Sequence, residues 1–246
     1  MTTTEADILK LCQEAAEHNF KTVCVNGGWV ATARAALDAA GATHVGVCAV
    51  VGFPLGAGSS LAKAFETQAA IADGAVEIDM VLPVGHFRSG AAGRKAALQD
   101  VQVVCGVTRN AGVALKVILE TAALSDAEIA EAVSLCRQAG VEFVKTSTGF
   151  GPGGATPHAV SLLSKHASAE AGDGPAAQVK ASGGVRTLSD ALVMIRAGAH
   201  RIGASASVPI MTELTQLQRT SSSTALKMLQ DDGVALQPAP TPPSRA

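Results

Sequence analysis

Residues 141–150 read VEFVKTSTGF and place a lysine, Lys145, directly after a short apolar run. Such a run is typical of a strand that is covered on both faces of a parallel sheet. Parallel α/β barrels carry their active sites at the C-terminal ends of their strands, which is where this ammonium group would emerge. The stretch therefore predicts a buried strand and, at its end, a lysine that is badly placed for a purely structural role.

A second lysine, Lys180, has a similar setting in residues 179–186, which read VKASGGVR. Two strand-end lysines in neighbouring βα units suggest amine chemistry on a carbonyl group, beside glycine turns able to hold a phosphate. Such chemistry needs one uncharged amine, whereas a free lysine with a pKa near ~10.4 is almost wholly protonated at neutral pH. Burial and a second ammonium group both favour the uncharged form. The alternative, that both are surface lysines flanking strands, stays open.

The rest of the chain repeats a pattern of apolar strand and amphipathic helix. Strands are predicted at residues 22–26, 44–52, 75–83, 114–120, 141–146, 177–181 and 201–203. Helices are predicted at 4–18, 31–40, 60–73, 94–111, 125–139, 156–168, 188–197 and 208–229. Left-handed helix ends are predicted at the glycines that precede strands, Gly41, Gly74, Gly112, Gly140 and Gly198. This βα repeat predicts an α/β fold with a parallel sheet, and 246 residues suit a single TIM-type (β/α)8 barrel.

The strand count is one short of that barrel, because the chain opens directly into a helix and residues 1–3 cannot supply a strand. We expect a single barrel domain over residues 1–230 that lacks the first strand, either because the reading frame begins late or because the strand is truly absent. The unpaired sheet edge would favour aggregation or a homodimer. Residues 231–246 are rich in proline and are predicted to form a disordered tail without a catalytic role.

The composition excludes several classes of protein. A formal net charge of −2 gives no electrostatic footprint for nucleic acid or an anionic membrane. The strongest uncharged stretch, residues 45–60, is interrupted by glycines and a proline and cannot be a spanning helix, and the first residues do not resemble a signal peptide. Five cysteines without Cys-x-x-Cys spacing are typical of reduced thiols in a cytoplasmic protein, and the histidines show no metal-ligand spacing. We therefore expect a cytoplasmic protein without a metal site.

Two carboxylates, Glu77 and Asp79, share one face of an apolar strand because side chains alternate with a period of two. Burying them is costly unless they are paired, so a basic partner is implied. Asp79 lies nearer the C-terminal end of the strand and is the better candidate for proton transfer, whereas a structural ion pair is an equal alternative for Glu77. Lys116 is a third interior lysine, and charge balance and catalysis are equally open as its role. Cys24 is expected to pack in its strand, with a place near the substrate as the alternative.

Three glycine-containing turns fall late in the chain, at residues 147–149, 182–186 and 202–205. Backbone N–H groups exposed at such turns form an anion cradle, and in phosphate-binding barrels this cradle follows the last two strands. Arg186 and Ser205 could add direct hydrogen bonds. The turns therefore predict a phosphorylated substrate.

Seven blocks carry a resemblance that covers about residues 8–207. They are residues 23–26, 51–56, 77–81, 116–121, 145–150, 180–187 and 201–205, with KTSTGF and KASGGVRT the most specific. Together they resemble the deoxyribose-phosphate aldolases of the DeoC type. The resemblance implies a TIM-type barrel that cleaves 2-deoxy-D-ribose 5-phosphate to acetaldehyde and D-glyceraldehyde 3-phosphate in deoxynucleoside catabolism, without a metal or an organic cofactor.

The same resemblance implies a role for each matching residue. Lys145 corresponds to the Schiff-base lysine, Lys180 to the lysine that keeps it deprotonated and shares in proton relay, and Asp79 to the relay carboxylate. The phosphate pocket corresponds to Gly149, Gly183, Gly184, Arg186, Gly203 and Ser205.

The chain also departs from the family pattern. The aspartate-bearing first strand has no counterpart, Gly27 replaces the usual proline after Val-Asn, and the sequence contains no tyrosine. These departures leave two alternatives to an active enzyme of this specificity. One is an inactive or poorly active truncated family member, and the other is a Schiff-base aldolase for another phosphosugar.

Overall fold

The computed structural model describes residues 2–168 and 174–220, and within them the predicted strands form one parallel sheet. The strands are β1 Thr22–Asn26, β2 Gly46–Val51, β3 Glu77–Val81, β4 Ala114–Ile118, β5 Phe143–Lys145, β6 Gln178–Ser182 and β7 Arg201–Gly203. Their order in the sheet follows their order in the chain. The curled sheet alternates with helices and has seven strands where a complete barrel has eight. The predicted TIM-type fold that lacks one strand is confirmed.

Helices connect the strands and cover the outer face of the sheet. They are α1 Glu5–Glu17, α2 Val30–Ala39, α3 Ser60–Ala72, α4 Val84–Phe87, α5 Gly90–Asn110, α6 Asp126–Ala139, α7 Pro157–Ala167, α8 Leu188–Arg196 and α9 Ser207–Thr220. The short α4 was not predicted. Residues 221–229 of the last predicted helix and the predicted tail at 231–246 lie outside the described residues. No helix within 2–168 and 174–220 is long and apolar enough to cross a membrane.

Local signals in the sequence explain where these helices begin and end. Ser125 caps α6 through a capping box, in which its hydroxyl accepts from the backbone of Glu128 and that carboxylate accepts in return. Each of the five predicted helix-end glycines has a positive φ, as Gly140 does at 77°. Glycine adopts this left-handed conformation without the steric cost that a Cβ would add.

Alternation along the strands separates an apolar outer face from a polar inner face. On β3, Ile78 and Met80 are fully buried and belong to the hydrophobic core beneath the helices. Glu77 and Asp79 point the opposite way because successive side chains alternate, and they too are buried, at 7% and 0% exposure. The inner face of the sheet therefore holds charged groups that are sheltered from water.

The sheet is open between its first and last strands. No pairing joins β1 to β7 in the part of the chain that the structure describes. A cavity of about 360 Å³ lies along β1 beside α1, lined by Cys24 and Asn26 of the strand and by Ile8 and Leu11 of the helix. Both β1 residues are exposed. The expected open seam is thus present beside the first strand.

Candidate active site

Asp79 is the centre of a buried cluster on the inner face. Its Oδ2 accepts hydrogen bonds from Lys145 Nζ at 2.8 Å and from Lys180 Nζ at 2.7 Å. Its Oδ1 lies 2.9 Å from Lys116 Nζ and accepts from Cys48 Sγ at 3.1 Å. The structure therefore brings the two predicted lysines and the predicted relay carboxylate into direct contact.

The register of the strands accounts for this convergence. Asp79 pairs with Lys116 across β3 and β4, and Lys145 pairs with Lys180 across β5 and β6. In-register partners on parallel strands lie side by side on the same face. Because Asp79 belongs to β3, the long side chains of Lys145 and Lys180 extend across the curled sheet to reach it.

Glu77 extends the cluster, because it lies two residues before Asp79 on the same face of β3. Its carboxylate lies 2.6 Å from Lys116 Nζ, and both of its oxygens accept from Arg201 Nη1 at 2.7 Å. Lys116 therefore bridges the two carboxylates, as charge balance requires. The sequence analysis did not identify Arg201 as a partner of Glu77. The only signal for it was a basic residue at the start of a predicted strand.

Electrostatics keep Glu77, Asp79 and Lys180 charged. Burial raises the pKa of Asp79, but Lys145, Lys180 and Lys116 outweigh burial and hold that pKa well below its usual range. Burial likewise acts to raise the pKa of Glu77, and Lys116 and Arg201 reverse the effect. Burial acts to lower the pKa of Lys180, but the negative charge of Asp79 is the leading opposing influence and the pKa is raised. Lys180 is therefore a permanent ammonium group at neutral pH.

Five of the six predicted phosphate-binding residues lie in the loops after β5, β6 and β7, and Gly203 is the last residue of β7, at the same end of the sheet as the lysines. Gly149 and Gly184 have positive φ angles of 85° and 80°, and a Cβ on either would meet no atom within 4 Å. Gly183 also has a positive φ, of 86°, and packs against the backbone of the loop that follows β5. These turns expose backbone to solvent, as an anion cradle requires.

The other predicted pocket residues differ in exposure. The side chains of Arg186 and Ser205 are exposed, and neither touches the Asp79 cluster in the contacts of the described chain. A Cβ on Gly203 would clash with Ser182 Oγ and lie 3.0 Å from Lys180 Cε. Gly203 therefore leaves the space that the side chain of Lys180 occupies.

Glu120 holds the loop after β5 and was not singled out from the sequence. Its Oε2 accepts from the backbone N–H of Thr148 at 3.2 Å and, through a shorter bond, from the Thr148 hydroxyl. Glu120 itself has a positive φ of 54°, which is rare for a non-glycine residue. These contacts fix the conformation of the segment between Lys145 and Gly149.

Two buried hydroxyls lie beside the lysines with their hydrogen-bonding capacity unused. Ser147 Oγ and Ser182 Oγ follow Lys145 and Lys180 by two residues each, and neither has a hydrogen-bond partner among the described residues. An unpaired buried polar group costs stability. Both residues are buried, Ser147 completely, so the two hydroxyls are part of the packed wall behind the lysines.

The comparisons with known proteins agree with this geometry. A family model described as DeoC/LacD family aldolase matches residues 1–210. A putative deoxyribose-phosphate aldolase from Coccidioides immitis is 39% identical, with 87% of this chain and 81% of that chain covered and a TM-score of 0.80. A structure described as "QR15, an Aldolase" is 36% identical, with 89% and 92% covered and a TM-score of 0.79.

A third structure, deoxyribose phosphate aldolase from Aeropyrum pernix, is 30% identical, with 88% of this chain and 86% of that chain covered and a TM-score of 0.78. That protein is described as a tetramer of unique structure. For the present chain, the homodimer expected from the open edge stays a prediction.

Proposed function

The chain belongs to the DeoC/LacD family of aldolases, and on that premise we propose that it cleaves 2-deoxy-D-ribose 5-phosphate to acetaldehyde and D-glyceraldehyde 3-phosphate. The reaction runs through a Schiff base on Lys145, in the breakdown of deoxynucleosides in the cytoplasm. The observation that carries the proposal is the shared contact of Lys145 and Lys180 with Asp79 Oδ2, at 2.8 and 2.7 Å.

The first step requires Lys145 as an uncharged amine. Lys180 keeps its proton, because its pKa is raised in the presence of Asp79 in spite of burial. Lys180 lies across one carboxylate oxygen from Lys145, a position from which a neighbouring ammonium group favours the uncharged form of an amine. The Lys145 amine attacks the C1 aldehyde of the open-chain sugar, and loss of water gives the imine.

The protonated imine then withdraws electrons from the adjacent carbon. The C3 hydroxyl loses its proton, the C2–C3 bond breaks and D-glyceraldehyde 3-phosphate leaves, while the bonding electrons form an enamine on Lys145. Reprotonation of the enamine at C2 and hydrolysis of the resulting imine release acetaldehyde and restore the amine. Asp79, with Lys180, relays the protons, because its carboxylate bonds both lysines.

The substrate phosphate binds at the turns after β5, β6 and β7. Backbone N–H groups around Gly149, Gly183 and Gly184 surround the anion, and Arg186 and Ser205 contribute side-chain contacts. Gly203 leaves the room that Lys180 needs.

A coupled assay for acetaldehyde tests this function. We expect turnover of deoxyribose 5-phosphate, a much lower kcat/KM for unphosphorylated deoxyribose, and no turnover by Lys145→Met. The matched control is Lys95→Met, which changes an exposed lysine of α5 and should keep activity. Cleavage of another phosphosugar in place of deoxyribose 5-phosphate would support the alternative specificity. No cleavage by folded protein would support an inactive family member.

A further inference from the structure

Two cysteines to which the proposed reaction assigns no step lie side by side on the inner face of the sheet. Cys24 of β1 is the register partner of Cys48 of β2. Neighbouring strands lie about 4.8 Å apart, a separation of Cα atoms that a disulfide can bridge. The two sulfur atoms and a carboxylate oxygen of Asp79 all lie within 4.8 Å of one another.

The two thiols differ in their access to solvent. Cys48 is fully buried, and its Sγ donates to Asp79 Oδ1 at 3.1 Å. Cys24 is exposed, although other side chains crowd its sulfur, because it belongs to the edge strand of the described sheet. It lines the cavity of about 360 Å³ between β1 and α1. A small oxidant can therefore reach Cys24 while the sheet stays closed around Cys48.

The surroundings of Cys24 also favour its reactive form. The neighbouring Cys48 thiol is the leading influence that lowers the pKa of the Cys24 thiol to about 7, and Lys180 and Lys145 act in the same direction against burial and Asp79. The thiolate is the nucleophilic form of cysteine. The lowered pKa therefore increases the fraction of Cys24 that is thiolate at neutral pH.

The remaining cysteines provide an internal contrast. Burial raises the pKa of the Cys12, Cys105 and Cys136 thiols. All three are buried, and the sulfur atoms of Cys12 and Cys105 donate to backbone carbonyl groups. Reactivity toward an oxidant is thus concentrated on one of the five cysteines.

A divalent cation is a poor occupant of the same three side chains. Asp79, the only carboxylate among them, already bonds the ammonium groups of Lys116, Lys145 and Lys180. A metal ion held by Cys24, Cys48 and Asp79 would face three positive charges at close range. The local field favours an anion at sulfur, which is what nucleophilic oxidation requires.

We propose that Cys24 and Cys48 are an oxidation site, in which a hydroperoxide converts the pair to a disulfide. The Cys24 thiolate attacks the terminal oxygen of the peroxide, the O–O bond breaks, and the products are the Cys24 sulfenic acid and an alkoxide or hydroxide. Cys48 sulfur then attacks the Cys24 sulfur, the S–O bond breaks, and the Cys48 proton leaves with the hydroxide as water. The two sulfur atoms together lose two electrons, which reduce the peroxide.

The disulfide acts on the active-site cluster through Asp79. Cys48 loses the hydrogen that it donates to Asp79 Oδ1, and its sulfur moves toward β1. The carboxylate that positions Lys145 and Lys180 therefore loses one of its four partners. We expect a reversible loss of the proposed aldolase activity; this consequence rests on the proposed function, whereas disulfide formation does not.

The test is to treat the full chain with hydrogen peroxide and to map disulfides by mass spectrometry of a digest prepared without reductant. We expect a peptide that links Cys24 to Cys48, with a loss of about 2 Da that dithiothreitol reverses. In untreated protein, iodoacetamide at pH 7 should alkylate Cys24 at least ~10-fold faster than any other cysteine. Measuring this alkylation rate requires no variant and does not depend on aldolase activity.

Variants separate the two steps. Cys48→Ser should stop at a Cys24 sulfenic acid that dimedone traps, and Cys24→Ser should form no disulfide at Cys48. Cys12→Ser, which can keep the hydrogen bond to the Ala33 carbonyl, is the matched control and should still form the disulfide. If activity is present, peroxide should reduce it at least ~10-fold in wild type, reversibly, and leave the activity of Cys24→Ser at its own starting value.

Three results would overturn the proposal. They are Cys24 alkylation no faster than that of the buried cysteines, oxidation of Cys24 beyond the sulfenic acid while Cys48 stays a free thiol, and a linkage between subunits in place of the Cys24–Cys48 linkage. A disulfide that forms while measured aldolase activity stays constant would overturn the effect on Asp79. Absent activity with a normal disulfide would contradict the proposed function alone.

Discussion

Polar side chains on the inner face of the sheet are buried in one part of the sheet and exposed in another. On β3 to β6, where every strand has a neighbour on each side, Asp79 and three lysines are buried and paired. On β1, which forms the edge of the described sheet, Cys24 and Asn26 are exposed. The comparison teaches that Asp79 and its three lysines all lie on strands with a neighbour on each side, so the gap beside β1 does not prevent the lysines from meeting.

We call strands β3 to β6 the complete part of the sheet. The largest expected effect comes from removing the charge of Asp79 at its centre. Asp79→Asn leaves buried ammonium groups without their carboxylate, so we expect a loss of about 3 to 5 kcal/mol in the free energy of unfolding. Activity should fall by about 10² to 10⁴, because proton relay is lost. Urea unfolding and the acetaldehyde assay measure the two effects.

The matched control is Asp100→Asn. Asp100 forms an equally buried pair with Lys63 at 2.6 Å, on helices outside the sheet. We expect a similar loss of stability with activity kept per folded molecule. Equal activity losses in the two variants would mean that Asp79 is only structural.

A second test of the complete part is the dependence of stability on pH. The pKa of Asp79 and the pKa of Glu77 are lowered, since their basic neighbours outweigh burial. The unfolded carboxyl groups take up protons first, near pH 4, so the free energy of unfolding should be constant around pH 6 and fall below about pH 4. The raised pKa of Lys180 predicts a further loss above about pH 10. Urea unfolding across this range measures the loss of stability at both acid and alkaline pH. A free energy of unfolding that stays constant below about pH 4 would contradict the charged cluster.

A smaller effect is expected at the phosphate cradle. Gly184→Ala adds a Cβ at a φ of 80° where no atom lies within 4 Å, so the cost is backbone strain of about 1 kcal/mol. KM for the phosphorylated substrate should rise several-fold, with kcat for unphosphorylated deoxyribose unchanged. Gly112→Ala carries the same strain at the end of α5, with a φ of 66° and open space. A KM change of equal size in Gly112→Ala would show that strain alone is responsible.

The smallest expected effect concerns the open edge. Trp29, the single tryptophan, lines the cavity beside β1 and therefore reports on that part of the molecule. An edge strand opens more readily than strands with two neighbours. We expect the Trp29 fluorescence transition in urea to precede the loss of helical circular dichroism. Coincident transitions would show that the edge is as stable as the rest of the sheet.

Local patterns in the sequence were sufficient for the fold. The strand runs and the helix-end glycines each depend on residues a few positions apart, and both were predicted. Lys145, Lys180 and Asp79 are recognisable as candidates in the sequence because each combines a charge with an apolar strand. Their mutual distances depend on register, which no single strand reveals.

Contacts between distant parts of the chain could not be predicted. The Arg201–Glu77 bond joins residues 124 positions apart. Cys48 looked like an ordinary apolar strand residue, and only the pairing of β1 with β2 places it beside Cys24. The left-handed conformation of Glu120 occurs where its side chain bonds Thr148 in the loop after β5, and it has no signature in the sequence.

Borohydride trapping tests most directly whether the complete part of the sheet works as a Schiff-base site. Purified protein is mixed with deoxyribose 5-phosphate, reduced with borohydride, digested and mapped by mass spectrometry. We predict substrate-derived mass on Lys145 and none on Lys116 or Lys180, with no adduct in Lys145→Met. An adduct on Lys180 or Lys116, or the absence of any adduct in folded protein, would contradict the assignment of Lys145 as the nucleophile.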